Sequence, residues 1–149
     1  MSNGKILLVE DNTDDVLLTK RALEKAHVAN VLEIANDGIE ALEYLRGEGT
    51  HEGRDAGDMP VVVLLDLKMP RMGGLEFLRI VREDERLRLL PIVVLTSSKE
   101  EQDVIESYSL GANSYIQKPV DFDQFVKAIQ TLGLYWLILN VNPREARSS

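Results

Sequence analysis

At 149 residues, with 44% hydrophobic and 28% charged side chains, the chain is long enough for one domain with a substantial core. A net charge of −8 excludes nucleic acid and anionic membrane surfaces as natural direct partners. The absence of cysteine excludes disulfides and thiolate chemistry and fits a cytoplasmic setting. The start, Met-Ser-Asn-Gly-Lys, has no signal-peptide pattern, and the most apolar run, Leu132 to Leu139, is far too short to span a bilayer.

In chain order, the first expected strand covers 5–10. Its Ile6-Leu7-Leu8-Val9 run is apolar throughout, as a strand covered on both faces of a parallel sheet must be, and it leads into Glu10-Asp11. Asn12 is an N-cap for a helix over 13–27. A strand over 31–35 is followed by Asp37 and Glu40, a capping-box pair for a helix over 38–46. Residues 47–60 carry four glycines, mixed charge and almost nothing apolar, and read as a mobile insertion at the amino edge of the sheet. The third strand, 61–66, is Val61-Val62-Val63-Leu64-Leu65 closing on Asp66, with a helix over 74–84 after it. A fourth, 91–96, runs through Ile92-Val93-Val94-Leu95 into Thr96-Ser97. Ser97 and Glu100 form the box for a helix over 100–109, with Lys99, Glu100 and Glu101 as a solvated first turn. The last strand, 113–117, delivers Lys118 just before Pro119, and Asp121 with Gln124 opens an extended helix over 122–140.

Five strand–helix units with short connections imply right-handed crossovers and a doubly wound α/β sheet. The expected strand order is 2-1-3-4-5, which brings Glu10-Asp11 beside Asp66 at the carboxyl edge, where such sheets place their chemistry. Three carboxylates there repel one another unless a cation joins them, and an all-oxygen ligand set suits Mg²⁺, with Mn²⁺ as a substitute. Asp66 is the natural nucleophile toward phosphorus. Lys118 offers a point charge to a phosphoryl oxygen and Thr96 a hydroxyl to another. Each residue alone has a plainer explanation: a helix cap, a strand-end hydroxyl, a surface lysine. Their order on four strand ends joins them.

Five stretches stand out together: Ile6-Leu7-Leu8-Val9-Glu10-Asp11-Asn12, Leu64-Leu65-Asp66-Leu67-Lys68-Met69-Pro70, Gly73-Gly74, Val94-Leu95-Thr96-Ser97 and Lys118-Pro119. With them, residues 4–130 resemble the receiver domain of two-component response regulators. The resemblance implies a flavodoxin-like, three-layer (βα)5 sandwich in which Asp66 accepts a phosphoryl group from the phosphohistidine of a sensor histidine kinase. It implies Mg²⁺ held by Glu10, Asp11, Asp66 and the backbone carbonyl of Lys68. Thr96 would move toward the phosphoryl group, Tyr115 would turn inward behind it, and Lys118 would contact it, with a cis bond to Pro119. More narrowly, the chain is similar to the small regulators paired with cyanobacterial and bacterial phytochromes. That likeness rests on Asp14-Asp15 and Leu18-Thr19-Lys20 after the first acids, the glycine-rich insertion, the stretch 118–125 and Tyr135-Trp136. A phytochrome-type kinase is the implied partner, docking on Asp14, Asp15, Leu18, Thr19, Arg21 and Ala22 of the first helix and on the loop after the fifth strand. Two positions depart from the commonest pattern. Glu10 stands where many receivers have aspartate. Lys68, two residues past the acceptor, would either shield the acyl phosphate or be merely solvated.

The expected output is binding rather than catalysis, since no DNA-binding or enzymatic segment follows the last helix. An aspartyl phosphohydrolase would need a second acid where Lys68 stands. From Leu132 on, the last helix is apolar nearly all round and wants burial on several sides. Leu134, Tyr135, Trp136, Ile138 and Leu139 would fold over their own core or form a homodimer interface. The expected organisation is a single domain over 1–140 with a flexible tail at 141–149.

Overall fold

The computed structural model describes residues 4–28, 30–107 and 111–134. Five strands, β1 (Lys5–Val9), β2 (Val31–Ala35), β3 (Val62–Asp66), β4 (Ile92–Thr96) and β5 (Ser114–Gln117), alternate with five helices. The helices are α1 (Thr13–Lys25), α2 (Gly38–Arg46), α3 (Gly74–Glu83), α4 (Lys99–Ser107) and α5 (Phe122–Thr131). All neighbouring strands are parallel, in the order β2-β1-β3-β4-β5. This is the doubly wound, flavodoxin-like arrangement expected from the sequence.

The apolar runs of β1, β3 and β4 are continuous because these inner strands are covered on both sides. Ile6, Leu8, Val62, Leu64, Val93 and Leu95 share one core with Ala22 and Leu23 of α1 and Phe125, Ala128 and Ile129 of α5. Their neighbours Leu7, Val9, Val63, Leu65, Ile92 and Val94 turn the other way, onto Tyr44 and Leu45 of α2 and Phe77, Leu78 and Val81 of α3.

Three caps form as the sequence predicts. Asn12 Oδ1 accepts from the Asp15 amide at 3.0 Å, Asp37 Oδ1 from Glu40 at 2.9 Å, and Asp121 Oδ1 from Gln124 at 2.8 Å. The Gln124 side chain also reaches back to β5: its Nε2 donates to the Gln117 carbonyl at 3.0 Å and its Oε1 accepts from the Gln117 amide at 3.0 Å. The α4 cap lies one residue later than expected. Ser98 Oγ accepts from the Glu101 amide at 3.3 Å, while Glu101 Oε2 accepts from the Ser97 amide at 2.6 Å. Consecutive serines followed by consecutive glutamates fit either register, and the chain leaving β4 takes the second. Glu101 is accordingly held in place and is not part of a solvated turn.

The expected helix over 122–140 is corrected at its end. Gly133 takes φ 72°, its amide donates to Gln130 O at 3.0 Å, and the Leu134 amide donates to Ile129 O at 3.0 Å. These are the paired bonds of a left-handed helix stop, which satisfy carbonyls that a continuing helix would use itself. Leu132 and Leu134 fold back onto the α1–α5 core. Residues 135–140 lie outside the described residues.

The insertion is anchored to α2. It contains a short 3₁₀ turn, Gly49–His51. The Arg54 guanidinium lies 3.7 Å from the centroid of the buried Tyr44 ring, and its Nη1 donates to Tyr44 O at 2.7 Å. Thr50 bonds Glu43 at 3.1 Å, His51 Nε2 meets Glu40 Oε2 at 3.1 Å, and Lys5 pairs with Asp58 at 3.4 Å. Among the described residues, no helix is long and apolar enough to cross a membrane.

Candidate functional site

The β1–β3 register pairs Val9 with Leu65, so the residues that follow, Glu10 and Asp66, emerge side by side. Both are buried, at 1% and 6% exposure, while Asp11 is exposed. One carboxylate oxygen from each of the three lies within 4.8 Å of the others. Lys118 arrives from the end of β5 through a cis bond to Pro119, its amide tied to Thr96 O at 2.7 Å. Its Nζ lies 2.7 Å from Glu10 Oε1, 2.8 Å from Asp66 Oδ1 and 3.0 Å from Asp15 Oδ2. The loop after Asp66 closes with the Gly74 amide on Leu67 O at 2.9 Å, and a Cβ at Gly74 would collide with the Asp66 carbonyl, so the close return of the chain requires glycine there. These groups line a cavity of about 490 Å³ that opens to solvent.

Burial pushes the Glu10 carboxyl up to about 7, and neighbouring Asp66 adds to the effect against the opposing pull of Lys118. Burial works against the Lys118 ammonium, yet the hydrogen bonds it donates to Asp66, Glu10 and Asp15 outweigh it and keep its titration above the ordinary lysine value. One ammonium therefore faces three carboxylates, with Asp11 as a fourth acid at the cavity wall. The negative excess is confined to oxygen ligands on one side of an open cavity. That donor set fits a hard divalent cation that retains waters.

Thr96 ends β4 with 1% exposure, behind the cavity wall. Tyr115 is half-buried in β5 against the α2–α3 core. Lys68 is exposed, and its ammonium sits 3.4 Å from Glu101 Oε1. Leu134 is half-buried on the α1–α5 side, whereas Tyr135, Trp136, Ile138 and Leu139 lie outside the described residues. Of the helix 1 positions named for kinase docking, Thr19 and Ala22 are buried and Thr19 Oγ1 donates to Asp15 O at 2.8 Å, so only Asp14, Leu18 and Arg21 remain on its exposed face. Sequence reasoning left two residues out of the site. Asp15, one turn past Asn12, reaches Lys118, and Glu101 lines the cavity. An acid at the third position of a capped helix was the available signal for both.

The response regulator receiver domain model matches residues 6–130. The probable methanogenesis regulatory protein FilR2 of Methanothrix harundinacea is 40% identical over 141 residues, covering 95% of this chain and 88% of its own length. Response regulator Rcp1 of Synechocystis is 36% identical over 132 residues, or 89% and 88% of the two chains. The crystal structure of its Mn²⁺-bound form matches with a TM-score of 0.70 at 35% identity over 90% of this chain and 94% of that one. The structure of the bacteriophytochrome response regulator AtBRR matches with a TM-score of 0.84 at 54% identity, covering 89% of this chain and 94% of that one.

Proposed function

The chain belongs to the response regulator receiver family, and from that premise we propose that Asp66 accepts a phosphoryl group from the phosphohistidine of a bacteriophytochrome-type sensor histidine kinase. The observation that carries this is the Lys118 ammonium held between Asp66 and Glu10 at the wall of an open cavity. In the transfer, an Asp66 carboxylate oxygen bonds to phosphorus as the P–N bond breaks. The electron pair of that bond stays on the imidazole nitrogen, which takes up a proton. Little covalent chemistry is left for the protein, so its work is positioning and charge neutralisation. Lys118, kept protonated by its carboxylate partners, pairs with Asp66 beforehand and with phosphoryl oxygens afterwards. Thr96 lies at the adjacent strand end, from which its hydroxyl reaches a phosphoryl oxygen by a short movement, with Tyr115 following on the next strand.

Glu10, Asp11, Asp66 and the Lys68 carbonyl would hold Mg²⁺, with Mn²⁺ as a substitute; the acid cluster and the Mn²⁺-bound state of Rcp1 support this choice. When bound, the cation supplies neutralisation of the phosphoryl oxygens and of the crowded carboxylates. The acyl phosphate carries roughly −1.5 to −2 charges and three acceptor oxygens in place of the single carboxylate charge of Asp66, and the resulting shift between two arrangements is read by binding rather than by catalysis. The apolar sequence from Leu134 through Tyr135, Trp136, Ile138 and Leu139 supports a homodimer formed through the C-terminal segment.

The test is labelling by phosphoramidate, with and without Mg²⁺, in wild type and Asp66→Asn. Mg²⁺-dependent labelling of wild type alone supports the assignment, and equal labelling of both overturns it. Molar mass by light scattering, with beryllofluoride standing in for the phosphoryl group, should rise toward a dimer. Trp136→Glu should lower that mass and leave labelling intact.

A further inference from the structure

Two hydrogen-bond donors at the mouth of the acid cavity are occupied by one side chain. The Ser97 amide donates to Glu101 Oε2 at 2.6 Å, and the Lys68 ammonium lies 3.4 Å from Glu101 Oε1. All three residues line the same cavity as Asp66. The third-position acid returns to the amide before the cap, as Glu40 does to Asn36 at 2.8 Å in α2, so what sets Glu101 apart is the place of both its partners on the wall of the acid cavity. The cap here is Ser98, and the Glu101 carboxylate passes to the amide before it and across to a second loop. With a side chain only 18% exposed, Glu101 is fixed there. A peptide N–H and an ammonium converging from two loops on one divided carboxylate make the contacts that a tetrahedral oxyanion also takes.

We propose that Glu101 is a resident counter-anion of the cavity: it holds the Ser97 amide and the Lys68 ammonium while Asp66 is unmodified, and yields both to phosphoryl oxygens when Asp66 is modified. The inference rests on the phosphoacceptor assignment of Asp66. Glu101 is then a positioning residue with two effects. It competes with the incoming group, and its release unties the first turn of α4 from the loops that follow β3 and β4. Modification at Asp66 thus reaches α4 by the loss of a contact.

The test is calorimetric titration of the full chain with beryllofluoride in Mg²⁺, for wild type, Asp66→Asn, Glu101→Ala, Glu101→Gln and Glu100→Ala. Glu101→Ala should lower the half-saturating concentration about fivefold, the worth of one net hydrogen-bonded contact removed from competition. Glu101→Gln, which keeps an acceptor for Ser97 but loses the charge facing Lys68, should lower it about twofold, as weak exposed ion pairs do. Glu100→Ala controls for net charge and should leave the value unchanged. In ¹⁵N spectra, the Ser97 amide should move on beryllofluoride addition to wild type, start elsewhere in Glu101→Ala, and reach a common bound position in both.

Unchanged or weaker binding in a folded Glu101→Ala overturns the proposal, as does a Ser97 amide indifferent to beryllofluoride in wild type. If Glu101→Ala fails to fold, Glu101→Gln decides by the same criteria. If wild type does not bind and matches Asp66→Asn, the phosphoacceptor assignment fails and the counter-anion role falls with it.

Discussion

The carboxyl-edge cavity and the α2 face beneath the insertion are both built from charged side chains, and the same upward push of burial ends in opposite net shifts. On the α2 side Asp37 and Glu40 each have donors that outweigh their burial. Burial pushes the Asp37 carboxyl up, but the Glu40 amide and the Arg71 guanidinium, at 2.6 and 3.1 Å, bring it below the ordinary aspartate range. Glu40 follows the same pattern through Asn36 and His51. At the cavity the balance reverses, and burial drives Glu10 up to about 7 despite Lys118. Charge that is satisfied internally builds structure. Charge left in excess on an open wall marks where something from outside completes the set.

Four substitutions probe that contrast. The largest effect belongs to Asp66→Asn, which should abolish phosphoramidate labelling, read as loss of the phosphate adduct by mass spectrometry, without loss of fold. Next is Lys118→Ala. It leaves buried Glu10 and Asp66 facing each other, slows labelling at least about a hundredfold as an electrostatic clamp is lost, and lowers stability by roughly 2 kcal/mol in urea unfolding. Arg54→Ala removes the ring stacking and the bond to Tyr44, for a loss of about 1 kcal/mol with labelling unchanged. If Arg54→Ala slowed labelling as much as Lys118→Ala, the division between the two regions would not hold.

The smallest effect is that of Asp37→Asn, which keeps the cap and loses the guanidinium pair, for about 1 kcal/mol or less at neutral pH given the exposed Arg71 end. The lowered Asp37 value gives this contribution a direction in pH. It is present above the unfolded value of 3.8 and lost as pH falls through the lower folded value, so urea curves of wild type and variant should converge in acid.

Strands β1, β3 and β4 and the edge carrying Glu10, Asp11, Asp66 and Thr96 were legible because a strand buried on both faces leaves an unbroken apolar run and its exit residue is then conspicuous, whereas the strand order followed from the commoner topology of five βα units and not from the residues. The docking of the insertion was not legible, because a guanidinium stacking on Tyr44 ten residues earlier has no periodicity to betray it. The α4 cap slipped by one because Ser97-Ser98 and Glu100-Glu101 are interchangeable as letters, and only the path leaving β4 separates them. At the far end of α5, Gly133 is the stop signal, and the apolar run that begins at Leu132 hides it. Leu132 and Leu134, on either side of it, pack back on the core.

The Gln124 side chain has a consequence for what the sheet cannot do. β5 is the last strand, and at Gln117 the peptide groups directed away from β4 are both engaged by the Gln124 amide. A side-chain amide presents the same donor and acceptor as a peptide unit, so Gln124 acts as one rung of a sixth strand. A strand from another molecule arriving along that margin meets an occupied rung on a border only four residues long. The sheet is thereby closed to edge-to-edge growth at the point nearest Lys118, and the surface beside the site stays free of the self-association that open borders invite.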